Sequence, residues 1–183
     1  MAARETIRPL GSAQQSHAAP CGRSFGGDDS DADLLRHAAQ GNAAAFEKIA
    51  SRYDQAILAL LLILTGSEQV ALDLCHSALL TAYREMQRRR AQSMYIWFYR
   101  LAADQWLAWA GKHALDPQAP LPARSSPADA LGTLSARERL VFALKSNLRL
   151  ALPTVAQIVD LPEETVARIF IRAIAKLRMS LRP

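Results

Sequence analysis

Arg168, Arg172 and Lys176 stand at four-residue steps, so a helix through them would carry all three as one row on one face. Guanidinium and ammonium groups so arrayed suit phosphate oxygens, and Thr165 upstream adds a hydroxyl that can reach a base edge or a phosphate. Val166, Phe170, Ala173 and Leu177, at steps of four, three and four, form an apolar face for burial. Ile169, Ile171 and Ile174 add further apolar surface. Such side chains can read a thymine methyl, but three exceed that need, and an exposed apolar patch more often marks a protein contact. Glu163 and Glu164 open the stretch, where a helix dipole favours them although they would repel phosphate. Ahead of them, the run from Thr154 to Arg168 has the form of a helix-turn-helix, with its turn at Asp160-Leu161 and a second helix from Pro162. The second helix of such a unit is built to lie in the DNA major groove.

A second group of chemically able residues lies mid-chain. Arg88, Arg89 and Arg90 are followed by Tyr95, Trp97, Phe98, Tyr99, Trp106 and Trp109. Aromatic faces stack on unpaired bases for roughly 1–3 kcal/mol each, and cations beside them would hold the backbone. The same spacing also turns Trp97, Phe98 and Leu101 toward a core, which is the commoner use of a Trp, and the arginines also complement a helix C-terminus.

Charge supports the phosphate reading. The chain has 22 Lys and Arg against 17 Asp and Glu, a net +5. Residues 131–183 alone hold nine of the former and four of the latter, so the whole excess sits at one end. The apolar run Ala56–Leu64 is far shorter than the roughly 20 residues a bilayer span needs, and no membrane insertion is expected. No signal peptide is visible, because the N-terminus is polar and broken by Pro9, Gly11 and Pro20. Cys21 and Cys75 lack metal-ligand spacing, and a reduced, cytoplasmic setting is the simpler expectation. There is no Gly-rich phosphate loop, no nucleophile–base pairing and no array among the four His. An enzyme, a cofactor and a bound metal are therefore not expected.

The elements that must position these residues read as helices throughout, with apolar residues at three- and four-residue steps and no strand signal. The expected organisation is a flexible arm at 1–30, a helical unit at 31–112, a linker at 113–130 holding Pro117, Pro120, Pro122 and Pro127, and a second helical unit at 131–183. In the first unit, helices are expected from Asp31, over Ala43–Thr65 with Gly66 as cap, over Glu68–Arg88, and over Met94–Ala110 stopping at Gly111. In the second they are expected over Ser135–Asn147, Thr154–Val159 and Pro162–Leu181. Nothing polar interrupts Ala56–Leu64, so this helix should be covered on all sides, by central packing or by a partner.

The ordered pair of units resembles an extracytoplasmic-function (ECF) sigma factor. The first carries Asp33-Leu34-Leu35, Gly41, Ala45-Phe46, Tyr53, Leu64-Thr65-Gly66, Ala71-Leu72-Asp73-Leu74, Ala82-Tyr83 and Trp97-Phe98-Tyr99-Arg100-Leu101-Ala102. The second carries Leu134-Ser135, Arg139, Val141-Phe142, Leu150, Val155-Ala156, Ile158, Leu161-Pro162, Thr165-Val166, Arg172-Ala173 and Leu177-Arg178. The resemblance implies an all-α transcription initiation factor whose partners are core RNA polymerase and promoter DNA, with an anti-sigma factor as a candidate third. It places polymerase contact at Asp73, Leu74, His76 and Ser77. It places contact with the minus-ten element at Arg88, Arg89, Arg90, Tyr95, Arg100 and Lys112, and with the minus-thirty-five element at Thr165, Arg168, Arg172 and Lys176. The chain departs from the pattern in several places, among them Ala167, where Lys or Arg is common, and Ile169, Ile171 and Ile174, where the family is usually polar or basic. Leu72 stands where the family usually has a carboxylate, His76-Ser77 where it has Gln-Glu, and Ala110-Gly111 where it has an arginine pair. A second reading follows from these departures: a degenerate paralogue that binds regulatory partners without opening promoters. A plain helix-turn-helix repressor leaves the 31–112 unit unexplained.

Overall fold

The computed structural model describes residues 31–86, 93–113 and 131–180, and every regular element among them is helical. The arm at 1–30, most of the proline-rich stretch and Arg88, Arg89 and Arg90 lie outside the described residues. In order, the elements are α1 (Asp31–Ala39), α2 (Ala43–Thr65), α3 (Glu68–Glu85) and α4 (Met94–His113), then α5 (Ala136–Phe142), a π-helical turn (Ala143–Asn147), α6 (Leu152–Val159) and α7 (Glu163–Ser180).

Local chemistry sets most boundaries. Asn42 caps α2 by accepting from the Ala45 N–H at 3.2 Å, and Gly41 before it has φ +90°, a conformation L side chains rarely adopt. At the other end Gly66 takes the left-handed conformation and returns its N–H to the Leu62 carbonyl at 2.9 Å. Ser135 and Glu138 form a reciprocal capping box at the start of α5. Asp160 ends α6 with φ 54° and ψ 49°, which Asp tolerates better than most residues, and this supplies the sharp turn into α7.

Several boundaries differ from the expectation. Gly111 does not stop α4, which runs on to His113; the glycine sits in a helical turn with no steric demand on it, and the His113 Nδ1 lies 2.8 Å from the Trp109 carbonyl. Helix α3 ends at Glu85. The helix expected over Ser135–Asn147 is α-helical only to Phe142 and then widens into the π turn. Helix α6 starts two residues early, since Pro153 fits a first helical turn, where its missing N–H is not needed.

Helix α2 is the axis of the molecule. Ile57, Leu60, Leu61 and Leu64 are fully buried against α1, α3, α4 and the π turn. Central packing covers the helix except on one face, where Ala59 is exposed and Leu62 is 38 % exposed. Helices α5 and α6 pack on α7 through Leu140, Val155, Ile158, Val166 and Ala173. The two groups are not separate. Helix α4 lies against α5 and α6, and buried side chains from both groups form one continuous core.

Candidate nucleic-acid interface

The helix-turn-helix is α6, the Asp160 turn and α7. Val166 and Ala173 are buried, with Phe170 and Leu177 half-buried beside them, so the expected core face of α7 is the one that packs. Phe170 stacks on Phe142 of α5 at 6.3 Å. The basic row is thereby turned outward, but its three members have different surroundings. Arg168 and Arg172 are exposed, and Arg168 donates to the Thr165 hydroxyl at 3.3 Å. Lys176 instead pairs with Glu138 at 2.7 Å, and Glu138 is buried. Burial pushes the Glu138 carboxyl up. Hydrogen bonds from Lys176 and Ser135 and the Lys176 charge outweigh that and hold it below the usual range. Lys176 is therefore engaged in holding α7 on α5.

The apolar content of α7 also divides. Ile169 packs on the core, Ile174 is half-buried, and Ile171 stands 66 % exposed, with Met179 at 76 % two turns on. Exposed Glu163 and Glu164 occupy the first turn.

In the first group, the aromatics of α4 mostly pack. Trp97, Phe98, Tyr99 and Trp106 are buried; Tyr53 stacks on Phe98 at 4.8 Å and Tyr95 lies 4.5 Å from Tyr99. Tyr95 and Trp109 keep partial exposure, and Lys112 is exposed at the helix end. On α3, Asp73 and His76 are exposed and Ser77 is half-buried, whereas Leu74 faces the core, which removes it from any surface contact. Beside them Phe46, His76, Leu79, Leu80 and Tyr83 line an open apolar groove of about 360 Å³. Leu80 and Tyr83 are exposed there.

The sequence reading missed three polar links between the groups. Arg100 of α4 pairs with Asp160 in the helix-turn-helix turn at 2.6 Å. The Trp106 indole Nε1 donates to the Ala136 carbonyl at 3.2 Å. Arg139 of α5 donates to the Leu64 carbonyl in the last turn of α2 at 3.1 Å and twice to the Leu131 carbonyl, at 3.1 and 2.9 Å. Its guanidinium also lies over the Trp106 ring, 5.8 Å from the centroid. Helix α2 has no basic residue in its own last turn, so a cation from the other group complements its C-terminal dipole. Only the Ser135-x-x-Glu138 pattern among these features is a local signal; the rest depend on how the groups meet.

No group of three or more His, Cys, Asp or Glu among the described residues could hold a metal ion, and no described helix is long and apolar enough to cross a membrane. Cys75 is buried, and burial followed by the nearby Asp54 charge pushes its thiol up, away from the reactive thiolate.

Residues 130–179 match the family "Sigma-70, region 4". No curated protein matches the sequence. Among solved structures, CnrH in complex with the cytosolic domain of CnrY is 21 % identical, covers 84 % of this chain and 97 % of its own, and superposes with a TM-score of 0.63. The sigma factor RpoE of Bartonella quintana, in complex with the anti-sigma factor NepR, is 18 % identical, covers 74 % and 96 %, and has a TM-score of 0.59. At these identities the likeness is one of fold, and it spans both helical groups. The chain shares the fold of the sigma factor RpoE, and its C-terminal helix-turn-helix lies within the sigma-70 region 4 match.

Proposed function

We propose that this chain, with its sigma-factor fold and region 4 domain, is a transcription initiation factor that brings core RNA polymerase to promoters. The carrying observation is the pairing of a region 4 helix-turn-helix, with Arg168 and Arg172 exposed on α7, and a complete first helical group of the same fold class. In this reading α7 contacts the minus-thirty-five element through Thr165, Arg168 and Arg172. The α4 side, with Tyr95, Arg100 and Lys112, handles the minus-ten strand. No covalent chemistry is required; the protein supplies binding energy and placement.

Polymerase docks on α3. Asp73 remains as a charged acceptor, while Leu72, His76 and Ser77 supply fewer charge-assisted bonds than the family pattern. The apolar groove between Phe46 and Tyr83 compensates, because burial there gains about 25 cal/mol per Å² of apolar surface. Both solved relatives are bound to a second protein, one of them a named anti-sigma factor, and such a factor is the natural regulator of this chain.

Pull-down with core polymerase and run-off transcription test the proposal. Binding at or below micromolar concentration with discrete transcripts is expected; no binding at that concentration contradicts it. The exposed Ile171 and Met179 favour a second reading, a regulatory module that binds proteins through α7 without initiating transcription. That reading requires weak DNA binding with little salt dependence.

A further inference from the structure

We propose that Asp160 acts as a stand-in for DNA phosphate on Arg100, so that capture of promoter DNA by α4 and release of the helix-turn-helix from α4 are one coupled event. The inference rests on the reading of α4 as a DNA-binding surface. Its observation is the 2.6 Å pair that joins an α4 guanidinium to the carboxylate at the turn between α6 and α7. A carboxylate and a phosphate present the same paired oxygens to a guanidinium, so the two compete for the same donors.

Geometry makes the competition necessary. Promoter elements centred ten and thirty-five nucleotides upstream are separated by roughly 85 Å of duplex, at 3.4 Å per base pair. Here the two DNA-facing groups touch, with α6 packed on α4. One molecule in this arrangement cannot engage both elements, so α6 and α7 must leave α4 before a promoter is fully held.

Energetics make the latch displaceable. The Asp160 side chain is 83 % exposed and that of Arg100 25 % exposed, and ion pairs with a partner this open to water are weak. Asp104 and Glu85 lie close by; loss of hydration pushes the Asp104 carboxyl up, with Arg100 opposing and Glu85 and Asp160 adding to it. The cluster thus already holds more negative than positive charge. With the charge balance already negative, Arg100 cannot hold a phosphate and Asp160 together, so an arriving phosphate must displace the carboxylate.

The test is a double-mutant cycle on the full chain, measuring affinity for a labelled DNA duplex with a single-stranded segment at low salt. Asp160→Asn keeps the left-handed turn, since Asn adopts it readily, and removes the competing charge. It should tighten binding about three- to five-fold when Arg100 is present and leave binding unchanged in an Arg100→Gln background. Equal tightening in both backgrounds would mean a general charge effect and overturn the proposal, as would no tightening or no DNA binding by any variant. Thermal melts exclude misfolding as the cause. Core polymerase binding, measured in parallel, separates the two claims: intact binding without an Arg100-dependent gain sinks only the latch, whereas a wild-type chain that ignores polymerase sinks the functional reading.

Discussion

Single residues decide how the second helical group is assembled, and Glu138 is the clearest case. It satisfies the Ser135 N–H of the capping box and takes the Lys176 ammonium, so its removal loses a cap and a charge-assisted bond together. Glu138→Ala should cost about 2 kcal/mol in urea unfolding. Its folded pKa lies below the ordinary value, so the native state binds fewer protons there than the unfolded chain does. The stabilisation is therefore complete above the ordinary Glu value of about 4.3 and fades as pH falls through the depressed one. The stability gap between wild type and Glu138→Gln should be full at neutral pH and close on acidification; a gap that widens in acid would refute the assignment. Arg139→Ala should cost about 2–3 kcal/mol, because it strips partners from two carbonyls, with Arg139→Lys recovering only part. Both residues were present in the sequence as charges among others. Their partners lie on other elements, which periodicity does not reveal.

At the scale of elements, helix periodicity was legible and the detail of helix ends less so. The Asn42, Gly66 and Asp160 boundaries follow from residue type, whereas the continuation of α4 through Gly111 and the π turn after Phe142 do not. The core face of α7 was likewise legible; that Lys176 points back to α5 was not, since a row of cations looks the same whichever member finds a carboxylate. Two measurements follow. Leu60→Ala in α2 should destabilise by about 2–5 kcal/mol while Leu62→Gln stays within about 0.5, distinguishing the buried face from the open one by chemical denaturation. For DNA binding by α7, Arg172→Ala should lower the slope of log affinity against log salt by about 1, as one lost phosphate contact requires. Lys176→Ala should reduce stability and leave that slope nearly unchanged. The reverse outcome would show that Lys176 exchanges Glu138 for phosphate.

The whole molecule shows two helical groups closed on each other through α4, fastened by Arg139, Trp106 and the Arg100–Asp160 pair. Sequence patterns indicated both groups but not their meeting, because the residues that join them are far apart in the chain and ordinary in type. Closure joins the two groups into one body, so the proposed function requires both an α3 surface that stays accessible and an opening of the pair. The most direct test is genome-wide mapping of this protein and of RNA polymerase in the same cells. Coincident occupancy immediately upstream of transcription starts, with a shared motif at those sites, is the predicted result. Occupancy without polymerase, or none on DNA, would contradict the account.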